Sequence, residues 1–575
     1  MDLKVSLKST TNWGTGGNGE IEITNISNTP LTNWSINLTT NNFSIDSFYT
    51  LTKSGSNTNM TITPPSWNNI LRPGQKIVSG FGYSGEQYFN YTSNSPNVQI
   101  EHVGITLPVL NTQVQPTTHS SKKTFGYFTE WCLYGRRFNV DMIPANKLSH
   151  IVYAFCLPNP TRSDLNILTT NYPFPPVPYS EPPATPEATI IHHDVGASAQ
   201  HIPKLMALKR MYPHLKILIS VGGWSLSWTF SKIAKDSVLR RQFVRSLTDL
   251  IIKYGFDGAD LDWEFVGLQG PGYNYVDAEN DGQNCSILLK ELREEFDRQS
   301  PNYHLEITAA TGCNPQVIAN YRLSEPYLDY LLLMTYDFTG AWSQDTGHQS
   351  AIYHNPNTSL PNDWNVNASV NNAKNAGFNN SKICIGSPFY GRGWQNFTPT
   401  NRSNPIFGRA TAGAQPLSTE YGESGVSSWK DIRDAINTRG YKEYFDETAQ
   451  ASYVTNETAT IVWSCDTPRS IRAKAQYVID NNLAGMLFWE LSDDTRDDKD
   501  NLLTVVNDVF SRETPNVTPI NPPTIPTPTP PIVTPTPPTS SIDHESVQYT
   551  INLPESDCTC ACCCKLKGIK IIFEY

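Results

Sequence analysis

Residues 257–264 read Asp-Gly-Ala-Asp-Leu-Asp-Trp-Glu, and no other stretch says as much about the fold. Asp260, Asp262 and Glu264 stand two positions apart, so on a β-strand their side chains share one face. A leucine and a tryptophan alternate with them, which favours a strand inside an apolar core over a solvated acidic loop. Carboxyls crowded on one face repel one another, so some must share protons, which raises at least one pKa and prepares a general acid.

Strand-like runs alternate with helical patterns on both sides of this stretch. Residues 238–254, directly before it, carry apolar side chains on one helical face, as expected of a helix that docks on strands. The runs predicted as strands are 125–131, 149–155, 217–223, 259–265, 305–310, 331–338, 383–390 and 486–491. Eight strands that alternate with helices predict the α/β class, a (β/α)8 TIM barrel in which the acidic stretch is the fourth strand.

Changes in composition predict the domain boundaries. Residues 1–103 are rich in Asn, Ser and Thr and show short alternating strands broken by Gly and Asn turns, which is typical of a β-sandwich module. Residues 104–122 lose the hydrophobic period and are predicted to be a linker to the barrel at 123–512. About ninety residues separate the seventh and eighth strands, which predicts a small α+β insertion at about residues 395–464.

The C-terminal part of the chain has a different character. Residues 513–542 are Pro-Thr repeats, which favour an extended polyproline linker, and residues 543–575 form a Cys-rich tail. Five of the 11 cysteines crowd into residues 558–564, and their spacing matches no metal site. Lipidation, disulfides between chains and a soft-metal cluster all stay open for this tail, as does its attachment to a larger assembly.

Composition narrows the possible partners. The net charge of −11 provides no basic surplus for phosphates, so we expect no nucleic-acid partner, and an uncharged polymer fits better. Aromatic residues make up 11% of the chain and charged residues only 17%, which suits surfaces that stack on sugars. Because no run of eighteen apolar residues and no signal-peptide pattern is seen, we expect no membrane span, and the localisation stays open.

The acidic strand resembles the signature of glycosyl hydrolase family 18, the chitinases, and the similarity covers roughly residues 123–512. Further motifs agree with that family in order along the chain: Ser220-Val-Gly-Gly-Trp224, Met334-Thr-Tyr-Asp337, Tyr390-Gly-Arg-Gly-Trp394 and Trp489-Glu490. Three others resemble the chitinase A group of bacteria and baculoviruses: Phe128-Thr-Glu-Trp131, Tyr134-Gly-Arg136 and Gly347-His-Gln349. A single motif of this kind would be weak evidence, but five that occur in the order of the family make the resemblance specific.

The resemblance implies roles for the acidic strand. Glycoside hydrolysis needs a proton for the leaving oxygen and a nucleophile at the anomeric carbon. Glu264 is the expected acid, and the expected nucleophile is the carbonyl oxygen of the substrate's own 2-acetamido group, which makes the reaction retaining. The resemblance further implies that Asp262 holds the acetamido N–H and stabilises an oxazolinium intermediate, that Asp260 shares a proton with Asp262, and that Tyr336 orients the acetamido group.

The same resemblance implies a set of substrate-binding residues. Trp489 is expected to form the apolar floor under the distorted sugar. The other residues expected to line the cleft are Asp337, Tyr390, Arg392 and Met334 by hydrogen bonding or packing, and Trp224, Trp342 and Trp394 as outer sugar subsites. Each aromatic could instead belong to the barrel core. Asp257 lies off the shared acidic face and is expected in a turn or in support of the site.

No cofactor or metal is expected. His192-His193-Asp194 could be taken for metal ligands, but adjacent residues rarely reach one ion together, and the family needs no metal. The expected substrate is chitin or a related N-acetylglucosamine polymer. A lectin that uses the cleft without catalysis is the alternative from another class, and an enzyme for another N-acetylglucosamine glycan is a third.

The N-terminal sandwich is similar to family 2 carbohydrate-binding modules, in which a flat strip of exposed aromatics stacks on crystalline cellulose or chitin. Trp13 and Trp67 match two positions of the strip. Where the family usually has a third Trp, this chain has Phe48-Tyr49, so Tyr49 is the expected third member. Trp34 alternates with Ile36 and Leu38 and is predicted to be core. Whether the module prefers chitin or cellulose stays open.

Overall fold

The computed structural model describes most of the chain. The described residues are 3–12, 14–26, 31–32, 34–64, 70–71, 74–85, 89–92, 98–103, 121–171, 177, 181–400, 405–419 and 422–513. Trp13 and Trp67 of the predicted aromatic strip lie outside these residues, as do the Pro-Thr linker and the Cys-rich tail.

The N-terminal module consists of antiparallel sheets. A five-stranded sheet contains, in spatial order, Asn90–Thr92, Leu3–Asn12, Gly16–Asn25, Lys76–Gly85 and Phe43–Phe48. A four-stranded sheet contains Val98–Val103, Ser35–Thr40, Asn59–Thr63 and Thr52–Gly55, and Leu31–Thr32 pairs with Ile70–Leu71. Buried residues alternate with partly exposed ones along these strands, so each sheet turns one apolar face inward. The β-sandwich prediction is confirmed.

Trp34 lies in the core of this module, as predicted, with about 1% of its surface exposed. Tyr49 lies on the outside and is 67% exposed. The Tyr49 ring covers Gly80, where an added Cβ would come within 2.5 Å of it, and its hydroxyl bonds Asn18 Oδ1 at 3.2 Å. Its role in polymer binding stays a prediction.

We expect Trp34→Ala to destabilise the N-terminal module by roughly 3–5 kcal/mol, because removal of a buried indole leaves a large cavity. Urea unfolding of residues 1–103 provides the measurement. Tyr49→Ala is the matched aromatic control and should shift the free energy of unfolding by less than about 0.5 kcal/mol. Equal stability of Trp34→Ala and the parent would contradict the core assignment.

The second part of the chain is a closed parallel barrel. Its strands are Lys123–Thr129, His150–Pro158, Lys216–Gly222, Gly258–Asp262, Glu306–Thr311, Tyr330–Leu333, Ile383–Pro388 and Gly485–Trp489, named barrel strands one to eight. Strand one pairs with both strand two and strand eight, which closes the ring. The short strand Ile190–His192 adds antiparallel to strand two. The TIM-barrel prediction is confirmed.

Helices surround the barrel. They are Arg162–Asn171, Val195–Met211, Phe230–Lys235, Ser237–Tyr254, Asp281–Gln299, Pro315–Asn320, Val366–Asn375, Pro468–Asp480 and Leu502–Phe510. The helix predicted at 238–254 is Ser237–Tyr254, in which Asp236 caps the first turn and Gly255 ends the helix with φ 80°. In the described part of the chain, no helix has both the length and the apolar character that a membrane span requires.

An antiparallel sheet lies between barrel strands seven and eight. It contains Ala412–Gly413, Tyr390–Gln395, Ile461–Ser464, Ala451–Thr455 and Lys442–Asp446 in spatial order, with Val426–Ser428 also paired to Tyr390–Gln395. The helix Trp429–Thr438 belongs to the same segment, and the short strands Thr398–Pro399 and Gly408–Arg409 extend it towards Asp345–Thr346. The α+β insertion is therefore present.

Several barrel strands end earlier than predicted, two of them by three residues or more. Strand four ends at Asp262 instead of residue 265, and strand six ends at Leu333 instead of residue 338. Beyond these points the chain leaves the barrel wall: the Glu264 amide donates to a loop side chain, and the Tyr336 amide donates to the carbonyl of Met334. Glu264, Tyr336 and Asp337 therefore lie in loops at the carboxyl ends of the strands, where a TIM barrel carries its site.

Candidate active site

Asp260 lies at the base of the site, inside the barrel. It pairs in register with Ser220 on strand three and Thr308 on strand five. Its Oδ2 accepts hydrogen bonds from Tyr127 Oη at 3.0 Å and Ser220 Oγ at 2.7 Å, and its Oδ1 accepts one from Thr308 Oγ1 at 2.6 Å. Burial raises the pKa of Asp260, while these three donors oppose the rise. The hydroxyls therefore favour a negative charge at this carboxyl.

Asp262 is the last residue of strand four and is buried. Burial, and then the charges of Glu264 and Asp260, raise its pKa well above the ordinary value for aspartate. Its Oδ1 has no hydrogen-bond partner among the described residues. These causes favour the protonated form of Asp262, which can donate or accept a further hydrogen bond in the cleft.

Glu264 lies two residues further along, at the mouth of the barrel. Burial, and then the charge of Asp337, raise the pKa of its carboxyl to about 8. Its side chain lines the cleft although the residue is only 9% exposed. A carboxyl that keeps its proton at neutral pH and still reaches the cleft is suited to act as a general acid.

Asp257 serves the fold instead of the site. Its carboxyl is fully buried, forms an ion pair with Lys209 at 2.7 Å, and accepts hydrogen bonds from the Ile217 amide at 2.8 Å and Tyr303 Oη at 2.5 Å. These contacts join the start of strand three to the turn before strand four. The structure thus places Asp257 in support of a turn, as predicted.

Asp337 and Arg392 form an ion pair on one wall of the cleft. Arg392 donates from Nε to Asp337 Oδ1 and from Nη2 to Asp337 Oδ2, each at 2.8 Å, which is the two-pronged geometry of a strong pair. Tyr390 Oη also donates to Asp337 Oδ1 at 2.7 Å. These bonds hold Asp337 in a left-handed backbone conformation, φ 59°, that residues other than glycine seldom adopt.

Tyr336 and Met334 line the cleft beside that ion pair. Burial raises the pKa of the Tyr336 hydroxyl well above its usual range, so this group stays a neutral donor. Its ring lies edge-on to Tyr390, with centroids 6.3 Å apart. The loop after strand six thus brings Met334, Tyr336 and Asp337 to the same cleft as Glu264.

An aromatic cluster forms the floor. The Trp489 ring stacks on Phe155 with centroids 5.7 Å apart and planes inclined by 21°. Tyr127 and Trp131 pack against Trp489 at 5.4 and 6.2 Å. Trp489 is only partly buried and lines the cleft, so one side of the indole is free to stack on a sugar ring.

The cleft has a volume of about 1090 Å³ and is large enough for several sugar units. Trp224 and Trp342 line it and are 54% and 62% exposed, as expected of outer subsites. The Trp342 ring packs against the Arg392 guanidinium, 4.9 Å from the ring centroid. Cation–π contact of this kind holds a platform at the surface.

Trp394 does not belong to the cleft. It is about 1% exposed, packs in a small core of the insertion, and donates from Nε1 to Ser343 O at 3.0 Å. The expectation that Trp394 forms an outer subsite is therefore wrong. Its strand, Tyr390–Gln395, pairs on both sides, and the neighbouring strands cover the indole.

Several residues that line the cleft were not assigned to the site from sequence. Phe155, Phe265 and Trp364 are aromatic, and Arg136 pairs with Glu490 and with Asp493. Trp131 and Arg136 belong to the motifs Phe128-Thr-Glu-Trp131 and Tyr134-Gly-Arg136, and these motifs could have indicated their place in the site. Trp364 precedes the helix Val366–Asn375 by two residues in a turn-rich segment, and nothing in its local pattern sets it apart.

The His192-His193-Asp194 segment contacts the loop after strand one and the helix that follows it. His193 pairs with the buried Glu130, and Asp194 caps the helix Val195–Met211 by accepting from the Ala197 amide at 2.9 Å. Across the residues that the structure describes, no three His, Cys, Asp or Glu side chains meet in a way that could hold a metal ion.

The fold and the cleft define the class of protein: a TIM barrel with a carboxyl-lined, aromatic-floored cleft at the carboxyl ends of its strands. Residues 123–494 match the family model described as glycosyl hydrolases family 18, and the chain belongs to that family. Residues 3–101 match the model described as a cellulose binding domain, which confirms the resemblance of the N-terminal module.

Named relatives agree with this assignment. The chain is 32% identical over 455 residues to "Chitinase A" of Pseudoalteromonas piscicida, an alignment that covers 71% of this chain and 54% of the relative. It is 32% identical over 418 residues to the "Chitinase" of Autographa californica nuclear polyhedrosis virus, which covers 69% of this chain and 74% of the viral protein. The chain thus spans about half the length of the bacterial relative.

A solved structure is similar as well. The structure of "Chitinase ChiA74 from Bacillus thuringiensis" superposes with a TM-score of 0.59 at 29% sequence identity. The superposition covers 68% of this chain and 70% of that one.

Proposed function

We propose that this protein is a chitinase that hydrolyses the β-1,4 bonds between N-acetylglucosamine units with retention of configuration. One observation carries the proposal: Glu264, whose pKa burial raises to about 8, lies in a cleft floored by Trp489. An acid protonated at neutral pH above an aromatic floor suits the cleavage of a neutral polysaccharide. The family membership and the names of the relatives support chitin as that polysaccharide.

Glu264 donates its proton to the glycosidic oxygen as the bond to the leaving sugar breaks. The electron pair of that bond goes to the leaving oxygen, which takes the proton from Glu264. In the second half of the reaction the Glu264 carboxylate accepts a proton from water, which attacks the anomeric carbon. The protein returns to its starting protonation state.

The nucleophile of the first half is the carbonyl oxygen of the substrate's 2-acetamido group. Its attack on the anomeric carbon from the face opposite the leaving group forms an oxazolinium ion, and water then opens that ring. Asp262 accepts a hydrogen bond from the acetamido N–H and passes its own proton towards Asp260, so that negative charge faces the cation. The three hydroxyls that bond Asp260 favour its anionic form, so the proton shared by the two carboxyls rests on Asp262 before substrate binds.

Other residues of the cleft orient the sugars. The neutral hydroxyl of Tyr336 donates to the acetamido carbonyl and aims it at the anomeric carbon. The Asp337, Arg392 and Tyr390 network provides fixed hydrogen-bonding groups beside the reacting unit. Trp224 and Trp342 stack on sugars beyond it, and the N-terminal module keeps the enzyme on the insoluble polymer.

The test separates substrate assistance from attack by a protein carboxylate. We expect N-acetylated chitin oligomers to be cleaved, whereas fully deacetylated chitosan and cello-oligosaccharides should not be, because both lack the acetamido nucleophile. A thiazoline analogue of the oxazolinium ion should inhibit competitively. Release of reducing ends and the anomer formed first provide the measurements.

Three results would contradict this proposal. Cleavage of cello-oligosaccharides at a comparable rate would mean that a protein carboxylate attacks. Initial formation of the α-anomer would mean that configuration inverts. Binding of chitin oligomers without any release of reducing ends would identify the protein as a lectin.

A further inference from the structure

The backbone of Glu264 has no support from the barrel sheet. Strand four pairs with its neighbours only as far as Asp262, so the amide and carbonyl of Glu264 lie beyond the last paired residue. The Glu264 amide donates to Ser227 Oγ at 3.1 Å, and the Glu264 carbonyl accepts from Asn274 Nδ2 at 2.8 Å. Two side chains thus take the place of the strand contacts.

These two side chains come from different loops. Ser227 is about 1% exposed and belongs to the loop after strand three, whereas Asn274 belongs to the loop after strand four. The loops are joined to each other, since the Tyr275 amide donates to Trp228 O at 3.0 Å and Tyr273 Oη donates to Ser225 O at 3.2 Å. The two loops that carry Ser227 and Asn274 are therefore fixed relative to each other.

The loop after strand four passes close to the acid. An added Cβ at Gly270 would lie 2.2 Å from the carbonyl oxygen of Glu264, so a side chain there would displace one of the two segments. The backbone of Asn274 is also held, since its backbone amide donates to Pro271 O at 3.0 Å. Close backbone approach and paired polar groups leave Glu264 little freedom to move as a unit.

We propose that Ser227 and Asn274 are positioning residues that aim the Glu264 carboxyl at the leaving oxygen by holding the backbone on both sides of it. The inference rests on the proposed role of Glu264 as general acid and adds the residues through which the protein orients that acid. Neither side chain needs to touch the substrate. A displacement of about 1 Å can lower the rate of a positioned reaction by roughly 10²-fold.

Leaving groups distinguish positioning of the acid from a general effect on the fold. A sugar alkoxide is a poor leaving group and needs the proton as the bond breaks, whereas 4-nitrophenolate leaves without one. Loss of acid alignment should therefore slow the cleavage of a chitin oligomer far more than that of a 4-nitrophenyl chitobioside. A loosened fold or a damaged sugar site would slow both.

The experiment measures kcat and KM of the full chain on both substrates. Asn274→Asp keeps the size of the side chain but removes the donor, and Ser227→Ala removes the acceptor hydroxyl. We expect each to lower kcat on N-acetylchitotetraose by roughly 10- to 100-fold with little change in KM, and on the 4-nitrophenyl glycoside by a few-fold at most. Ser227→Thr should restore most of the lost rate because it restores a hydroxyl.

Asn280→Asp is the matched control, since Asn280 is exposed and bonds only its neighbour Asp277 among the contacts described for its side chain. We expect wild-type rates from it on both substrates. If Asn274→Asp does not fold, as judged by circular dichroism, the pair Ser227→Ala and Ser227→Thr provides the same comparison. Equal losses on the two substrates, or no loss on the oligomer, would overturn the proposal.

A double variant distinguishes this proposal from the proposed function itself. In the Glu264→Gln background there is no acid to aim, so Asn274→Asp should cause no further loss on the oligomer. A further 10-fold loss there would overturn the positioning role while leaving Glu264 as the acid. Wild-type protein that cleaves neither substrate would refute the proposed function, and the positioning role with it.

Discussion

Glu264→Gln should lower kcat on chitin oligomers by roughly 10²- to 10⁴-fold while oligomer binding persists, because glutamine keeps the size and polarity of the side chain but cannot give up a proton. Reducing-end release gives the rate, and titration calorimetry with a non-hydrolysed oligomer gives the binding constant. Gln316→Glu changes an exposed residue of the helix Pro315–Asn320. It is the control for purification and folding and should leave kcat unchanged.

The pH dependence supplies a second readout of the same group. Because the pKa of folded Glu264 is raised from 4.5 to about 8, the folded protein holds a proton there that the unfolded chain has lost. The contribution of Glu264 to stability is therefore fully present below pH 4.5 and is lost as the pH rises through 8. Activity should fall over the same alkaline range, since the acid loses its proton.

The Gln variant carries no titrating group at this position. It should therefore melt above the wild type at pH 9, and this difference should shrink towards pH 4. Near-normal turnover of the Gln variant, or a stability difference that does not vary with pH, would contradict the assignment of the raised pKa to Glu264.

Asp262→Asn should lower kcat by roughly 10²- to 10³-fold, because the asparagine cannot place negative charge beside the oxazolinium ion. The effect should fall on kcat more than on KM, since the charge matters most in the transition state. Steady-state kinetics on N-acetylchitotetraose provides the measurement.

Asp257→Asn is the matched control, as it changes another buried carboxyl in the turn directly before the same strand. Loss of its charge leaves Lys209 buried without its ion-pair partner, so we expect a lower melting temperature with near-normal turnover of the folded protein. If Asp257→Asn lowers kcat as much as Asp262→Asn at equal concentrations of folded protein, then the assignment of a structural role to Asp257 and a chemical role to Asp262 is wrong.

Local patterns in the sequence determined the fold class. The spacing of Asp260, Asp262 and Glu264 predicted a strand with one acidic face, and the structure shows that strand as far as Asp262. The alternation of strands with amphipathic helices predicted the parallel barrel. The helix Ser237–Tyr254 was predicted to within one residue because its cap, its apolar stripe and its terminal glycine are all adjacent in the chain. Features of this kind depend on near neighbours, so the sequence alone expresses them.

The tertiary structure decided which groups surround the acidic strand. Asp260 is bonded by Tyr127, Ser220 and Thr308, which lie 133, 40 and 48 residues away and meet only because the barrel closes. The pKa of Glu264 depends likewise on burial and on Asp337, which strand six brings into the cleft. No local period encodes these contacts.

The local sequence also did not determine which tryptophans of the barrel are exposed. Trp342 and Trp394 both follow barrel strands, yet Trp342 projects into the cleft on Arg392, and Trp394 lies beneath paired strands of the insertion. Ser227 and Asn274 carry no motif, and they acquire a role only because two loops meet at the backbone of Glu264. The sequence by itself determined which side of a strand a residue occupies, because that follows from the two-residue period of the backbone. Only the packing of distant segments decided what covers each side chain, and therefore its charge state and its access to substrate.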